Sequence, residues 1–470
     1  MADSPAEGGA AGGLSTAQRG AAEPPSGASD RPYAASVSER ATPSSRTHPR
    51  AAVAMVMIVG GGFATQLLTT ITGVLSARML GVEGRGQIVL VASLAALISQ
   101  LTLGGSLPNA VTKMLAERGV TARDGLAHLV GRWTLYGLGA AAIGGGYFVF
   151  LERHSAGSTK YGLGVAVLII AVQNIASRIL TGAMLGEGAD LIHVAMTSVL
   201  PQAFVTLVLT VAFAVGVRWN ALELSAVTIA CVMIVLLSRI RLLGKPTHRP
   251  SDRIDGRELY LLARRSHIGS VGPIDGLSID RTLVGSLLGS VQLGLYSVAF
   301  ALAGLTTILG ACLAMVILPR VTVAQSNPRA EKYLVRRWLL LSAIVIAGAV
   351  IGLEFVTGPV IRLAFGSPFV AASACAHWLV AASGLLDFRR VMIAVLQGRN
   401  RGGQASVIEL ALTPFVVGGI VLASAKDSLV GVGVTMAAVG VVACVALGIA
   451  VARSAPAFRY VPAHALARQG

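Results

Sequence analysis

Residues 77–86 read Ala77-Arg78-Met79-Leu80-Gly81-Val82-Glu83-Gly84-Arg85-Gly86, a short polar turn between two apolar runs at 52–76 and 87–110. Its frame, Leu80-Gly81-x4-Gly86, returns 208 residues later as Leu288-Gly289-x4-Gly294, again between apolar runs, at 266–289 and 294–318. Two further pairs keep nearly the same offset. Leu107-Pro108 matches Leu318-Pro319 at 211 residues, and Arg178 with Gly186 eight residues on matches Arg390 with Gly398 at 212. Three matches in chain order, with a slowly growing offset, are the mark of a duplicated unit.

The unit is made of membrane-length helices. Of 470 residues, 54% are hydrophobic and 13% charged, where soluble domains carry about 25% charged residues. Besides the four runs above, apolar stretches lie at 132–151, 161–184, 193–216, 221–241, 338–360, 371–397, 405–424 and 429–452. Twelve spans of roughly 20 residues use about 250 residues, which the chain supplies with short loops left over. We therefore expect an all-α integral membrane protein of about twelve transmembrane helices, in two pseudo-symmetric six-helix lobes around a central cavity. An even number of crossings gives both copies the same orientation, related by an axis along the membrane normal, with a ligand path between them.

The expected organisation is a disordered cytoplasmic tail at 1–50, an N-lobe at 51–243, a basic cytoplasmic linker at 244–265, a C-lobe at 266–452 and a cytoplasmic C-terminal tail at 453–470. The tail is rich in Ala, Gly, Ser and Pro without apolar periodicity, so it buries too little surface to offset its chain entropy. It carries five Arg and five acids, which leaves the whole net charge of +16 to the rest of the chain. With the N-terminus inside, 24 of the 38 Lys and Arg fall in cytoplasmic segments, 7 outside, and 7, Arg178 among them, within the apolar runs. That bias places both termini in the cytoplasm and the protein in the cytoplasmic membrane. The same placement in short loops argues against nucleic acid as the partner of the positive charge. Trp133, Trp219 and Trp338 fall at span ends, where the indole prefers the headgroup region. No cleavable signal peptide is read at the N-terminus. Cys231, Cys312, Cys375 and Cys444 lie singly in apolar runs, so no disulfide, metal site or cofactor is expected.

Candidate functional residues are the ionisable groups inside this apolar frame, where each is costly unless paired or hydrated. Gly272-Pro273 interrupts span seven and is the candidate hinge. Asp275 follows near mid-membrane, a candidate for substrate contact or ion coupling, and Asp280-Arg281 come after it, either at the translocation path or as a local ion pair near the outer surface. Arg178 and Arg390 occupy equivalent positions, each about 12 Å inward from the Gly that marks its helix end. Two symmetry-related guanidiniums facing a cavity would hold phosphate through bidentate hydrogen bonds. Asp387, one turn before Arg390, is its candidate partner. Arg78, Glu354 and Arg362, nearer the outer headgroups, are weaker candidates, Glu354 for pairing or ion coupling. His267, Gln66, Gln173 and Asn174 are read as interhelical hydrogen-bonding groups. No Gly-rich Lys-Ser/Thr loop is present for nucleotide hydrolysis, and no long outer loop offers a catalytic face, so an enzyme is not expected.

Ala77 to Gly86, Asp280-Arg281, Leu288-Gly289, Gly294-Leu295-Tyr296-Ser297-Val298-Ala299, Leu318-Pro319-Arg320 and Phe365-Gly366-x-x-Phe369 together resemble the polysaccharide-exporter branch of the multidrug/oligosaccharidyl-lipid/polysaccharide flippase superfamily. The resemblance covers about residues 52–452. It implies two six-helix lobes around a cavity open alternately to each side, and movement of an undecaprenyl-diphosphate-linked oligosaccharide to the outer leaflet. The lipid-linked oligosaccharide and membrane lipids are then the expected partners, with a polysaccharide polymerase or glycosyltransferases as companions. Two other readings stay open at this point: a cation-coupled multidrug exporter of the same superfamily, and a non-transporting scaffold for cell-wall enzymes.

Overall fold

The computed structural model describes residues 49–104, 106–152, 157–189, 191–243, 253–270 and 277–454. Residues 1–48 of the expected tail, the C-terminal tail from 455, and Gly272, Pro273 and Asp275 lie outside the described residues. The described chain from Val53 onward is all helical, running α1 Pro49–Ser99, α2 Leu107–Arg118, α3 Ala122–Leu126, α4 Val130–Leu151, α5 Gly157–Gly186, α6 Leu191–Ala214 and α7 Ala221–Leu242. It continues with α8 Gly256–Ser270, α9 Ile279–Ala324, α10 Pro328–Val360, α11 Ser373–Gly398, α12 Gly402–Ser424 and α13 Leu429–Arg453. Ten of the helical stretches are long and apolar enough to cross a membrane.

Two of those ten are bent. Helices α1 and α9 have 51 and 46 residues, which at 1.5 Å per residue is more than twice a ~30 Å hydrocarbon core. Each bends at one glycine of the repeated frame, Gly81 with φ 68° and ψ −170°, and Gly289 with φ 84° and ψ 173°. A positive φ is strained for any residue with a Cβ, so glycine is required at both. The Gly81 bend divides α1 into two parts that match the first two expected spans, whereas only residues 279–288 of α9 precede the Gly289 bend, so among the described residues span seven is represented by a short helical piece and not by a full crossing. The protein is a multi-pass helical membrane protein.

The packing scheme also repeats. In the N-half α5 is the central helix and packs on α2, α4 and α7; in the C-half α11 packs on α9, α10 and α13. These are corresponding helices of the two copies, so the duplication read from three short motifs extends to the way each half assembles. The main core joins them, with Leu90, Leu293, Tyr296, Val298 and Ala299 all buried. Helix starts are capped where the sequence supplies the group: Asn220 and Glu223 form a reciprocal capping box on α7, and the Asn327 side chain accepts from Arg329 and Ala330 backbone N–H groups on α10. Such caps satisfy N–H groups that the helix itself cannot.

Two expectations change in detail. Span seven is not one helix from 266 to 289: α8 ends at Ser270, and α9 starts at Ile279 after Ser278, which sits in the left-handed region at φ 51°. The segment expected as a linker carries the amphipathic helix α8, which runs across the boundary placed at 265–266. Leu259 and Ala263 of its apolar side, with Ile254 just before it, are buried against Leu107, Val111, Leu115 and Leu126 of α2 and α3. Arg118 adds an ion pair to Glu258. Sequence alone reads its basic residues as loop; the buried stripe among them is what makes it a docked helix.

Candidate functional site

The two halves meet most closely just past the bends. A Cβ placed on Gly86 would lie 1.7 Å from the carbonyl oxygen of Ser290, and one on Gly294 would lie 2.0 Å from that of Val82. Gly86 and Gly294 are separated by 208 residues, as are Val82 and Ser290, so the contact is reciprocal: each half presents a glycine to the other half's backbone. Around it the halves are tied by hydrogen bonds. Arg85 donates from NH1 to Ser76 Oγ at 2.6 Å and from Nε across to Ser297 Oγ at 3.2 Å. Ser290 Oγ donates to Glu152 Oε1 at 3.0 Å. Arg78 reaches from α1 to the C-half and donates to the carbonyls of Leu363 and, at 2.6 Å, Ala364. Those carbonyls lie in a π-helical turn, Ile361–Phe365. Arg78, expected near the outer headgroups, is therefore a tie between the halves.

Asp280 and Arg281 do not form the local ion pair that was one of their expected readings. Asp280 is buried and accepts a hydrogen bond from Tyr296 Oη at 2.8 Å. Arg281 donates to Ser278 Oγ at 2.7 Å and stacks over the Phe300 ring at 4.5 Å. Further from the bends, Gln66 of α1 lies against Gly304 of α9, its Nε2 2.8 Å from where a Cβ would stand. Gln173 donates to the Ile229 carbonyl at 2.9 Å, the interhelical bond expected of it. The His267 side chain is outside the described residues.

Arg178 and Arg390 sit at matching places on α5 and α11, in different circumstances. Arg178 is exposed, and among the described residues it makes no hydrogen bond or ion pair. It lies one turn before Gly182, which abuts the Pro108 backbone of α2. Arg390 is about a quarter exposed and pairs with buried Asp387 at 2.7 Å, the one-turn partnership its spacing predicts. Asp387 in turn packs against Gly310 of α9. The duplicated guanidiniums are thus one uncommitted cation and one neutralised one. Glu354 is engaged by His377 Nδ1, a partner sequence reasoning did not name.

Several charged residues that sequence reasoning passed over are buried pairs or bridges. Arg389, fully buried, pairs with Glu409 at 2.6 Å; Arg399 pairs with Glu331 at 2.7 Å. Arg239 ties α7 to α5 and α6 through Ser177 Oγ at 3.0 Å, Thr181 and the Thr197 carbonyl. Arg239, Glu331 and Arg399 lie within a few residues of a helix end, where hydropathy reads them as loop charge, whereas Arg389 and Glu409 lie well inside α11 and α12. Among the described residues no cluster of His, Cys, Asp and Glu is arranged to hold a metal ion.

The described helices form a duplicated bundle whose halves meet at Gly86 and Gly294. The sequence family described as polysaccharide biosynthesis protein matches residues 163–374. Among solved structures, the chain is similar to the lipid II flippase MurJ in an inward closed conformation, with TM-score 0.66 and 13% identity over 84% of this chain and 87% of that one. It is also similar to a multidrug resistance MATE family transporter of the MOP superfamily. The inward-facing conformation gives TM-score 0.59 at 13% identity over 83% and 95% of the two chains, and an outward-facing conformation gives 0.53 at 14% over 85% and 96%. No curated protein matches the sequence. By family match and fold together, the chain resembles the polysaccharide-exporter branch of the MOP superfamily.

Proposed function

We propose that this protein is a flippase that carries an undecaprenyl-diphosphate-linked oligosaccharide across the cytoplasmic membrane by alternating access, for surface polysaccharide or cell-wall glycan assembly. The observation that carries the reading is the pairing of a pinned end with an uncommitted cation. The positive-inside bias puts the bends at the outer face. The reciprocal Gly86/Gly294 crossing then closes the path to the outside, while Arg178 lies about 12 Å from the cytoplasmic end of α5. A guanidinium without a carboxylate partner suits a diphosphate arriving from the cytoplasmic leaflet, which it would engage through charge-assisted, bidentate hydrogen bonds. Arg390, held by Asp387, becomes available only if that pair opens. Asp275 remains a candidate for ion coupling and Gly272-Pro273 a candidate hinge for motion of the two halves.

The test is complementation of a deletion strain, read as the lipid-linked intermediate that accumulates at the inner leaflet. Arg178→Ala is expected to lower export about a hundredfold with normal membrane insertion, and Arg178→Lys to restore part of it. Arg390→Ala is expected to cost less, because its charge is already balanced. Full export by Arg178→Ala would remove this assignment. Drug sensitivity of the deletion strain with unchanged glycan export would favour the cation-coupled exporter instead.

A further inference from the structure

A cavity of about 680 Å³ opens on the flank of the N-half, between α3, α4, α5 and α7. That volume is within the roughly 300–1,000 Å³ of small-ligand sites. Its walls are hydrocarbon, with Val172, Ile175, Ile179, Leu236 and Leu243 facing Trp133. Chain direction places it at the end of the bundle away from the bends, since it is built from the start of α4 and the last turns of α5 and α7. Arg178, although on α5, does not line it.

The rim is basic. Arg123 is a lining residue and donates to the Ile240 carbonyl at 2.8 Å, spanning α3 and α7. Arg132 and Arg241 are exposed and adjoin the lining residues Trp133 and Ile240 in the chain. The acid of the lining, Asp124, accepts from Thr121 Oγ1 at 2.9 Å, so it is engaged on the cap of α3. An apolar slot among membrane helices, edged by arginines at the cytoplasmic end, matches a lipid with a hydrocarbon chain and a negatively charged headgroup.

We propose that this cavity is a binding site for an anionic phospholipid, with one acyl chain among α4, α5 and α7 and the phosphate held by Arg123 beside Arg132 and Arg241. The site acts on the joint between the halves. The floor of the cavity is α3, whose Gly125 carbonyl accepts from Ile254 N–H at 3.1 Å, and Ile254 belongs to the docked segment leading into α8. A lipid that orders α3 therefore holds this joint in its docked position.

Trp133 supplies the test. In full-length protein with Trp219, Trp338 and Trp378 changed to Phe, reconstituted in nanodiscs, brominated phosphatidylglycerol is compared with brominated phosphatidylcholine as quencher of Trp133. The glycerol lipid is expected to quench at about fivefold lower mole fraction, the weight of one basic residue near an anionic headgroup. Arg123→Ala is expected to remove that preference and Arg123→Lys to keep it, while Ala176→Phe, which fills the slot, lowers quenching by both lipids. Equal quenching by the two lipids, or a preference that survives Arg123→Ala, overturns the proposal. So does quenching by a brominated polyprenyl phosphate with none by phosphatidylglycerol, which would give the cavity to the tail of the transported lipid. Because the readout is binding at Trp133, its failure leaves the flippase assignment standing.

Discussion

Gly86→Ala and Gly294→Ala are each expected to lower transport about tenfold or more while leaving the protein folded and inserted. At both positions the added Cβ would fall on a backbone carbonyl oxygen, at 1.7 and 2.0 Å. A backbone neighbour inside a packed helix cannot swing aside as the end of a long side chain can, so the two halves must separate by more than 1 Å. Overpacking of this kind costs about 1–3 kcal/mol, and it is charged only to the state closed at the bends. A two-state equilibrium shifts by the difference between its states, so the substitution disfavours that state rather than unfolding the protein. The measurement is labelling of Ser93→Cys by a membrane-impermeant maleimide in a cysteine-free background. Ser93 is 2% exposed on the second crossing of α1, below the glycine contact. Shielding is expected in the parent and tenfold faster reaction in either glycine variant. Unchanged labelling together with normal export would show that the crossing does not work as a gate.

The second large effect is on stability. Glu331 is fully buried at the start of α10, and Arg399, just after α11, meets it at 2.7 Å. Its Nη1 is engaged at the far side, donating to the Val451 carbonyl at 2.6 Å and to Ser454 Oγ at 2.8 Å, both at the end of α13. One side chain thus closes three helices at the end of the C-half. Arg399→Ala leaves a carboxylate buried without its cation, and breaking such a pair costs about 3–5 kcal/mol. The expected result is a thermal unfolding midpoint in detergent lower by many degrees, and low recovery of protein. Glu331→Met combined with Arg399→Met should regain most of that loss, since a well-packed apolar pair needs no compensation for desolvation. A single variant within about 1 kcal/mol of the parent would mean that Glu331 is protonated or hydrated at no cost.

What could be read in advance depended on the range of the interaction. The all-helical membrane fold and the duplication were legible because hydropathy runs and the Leu-Gly-x4-Gly frame are written along the chain. The Asp387–Arg390 pair was legible because its partners are one helical turn apart. The Glu331–Arg399 pair joins residues 68 positions apart, and no local pattern distinguishes it from ordinary charge at the ends of two helices. Arg85 shows the same limit. It was read as part of a turn motif, yet its guanidinium joins Ser76 to Ser297 of the other half. The glycines of the frame were recognised as turn-makers, which is right for Gly81 and Gly289. Gly86 and Gly294 serve contact instead, a role that emerges only once the two copies are placed face to face. Arg178 and Arg390 occupy equivalent positions, and what separates them is already in the sequence one turn earlier: Asp387 on α11, and Asn174 or Ile175 on α5.

The glycine crossing has the form of an isologous interface, in which patch i meets patch j and patch j meets patch i. Two copies of the first half alone, set about the same axis, would place Gly86 of each on Val82 of the other and close the same seam. The fold therefore contains the plan of a homodimer within one chain. Joining the copies left each free to specialise, as where Arg85 in one half has Leu293 as its counterpart in the other, an asymmetry that a true dimer of identical subunits is denied.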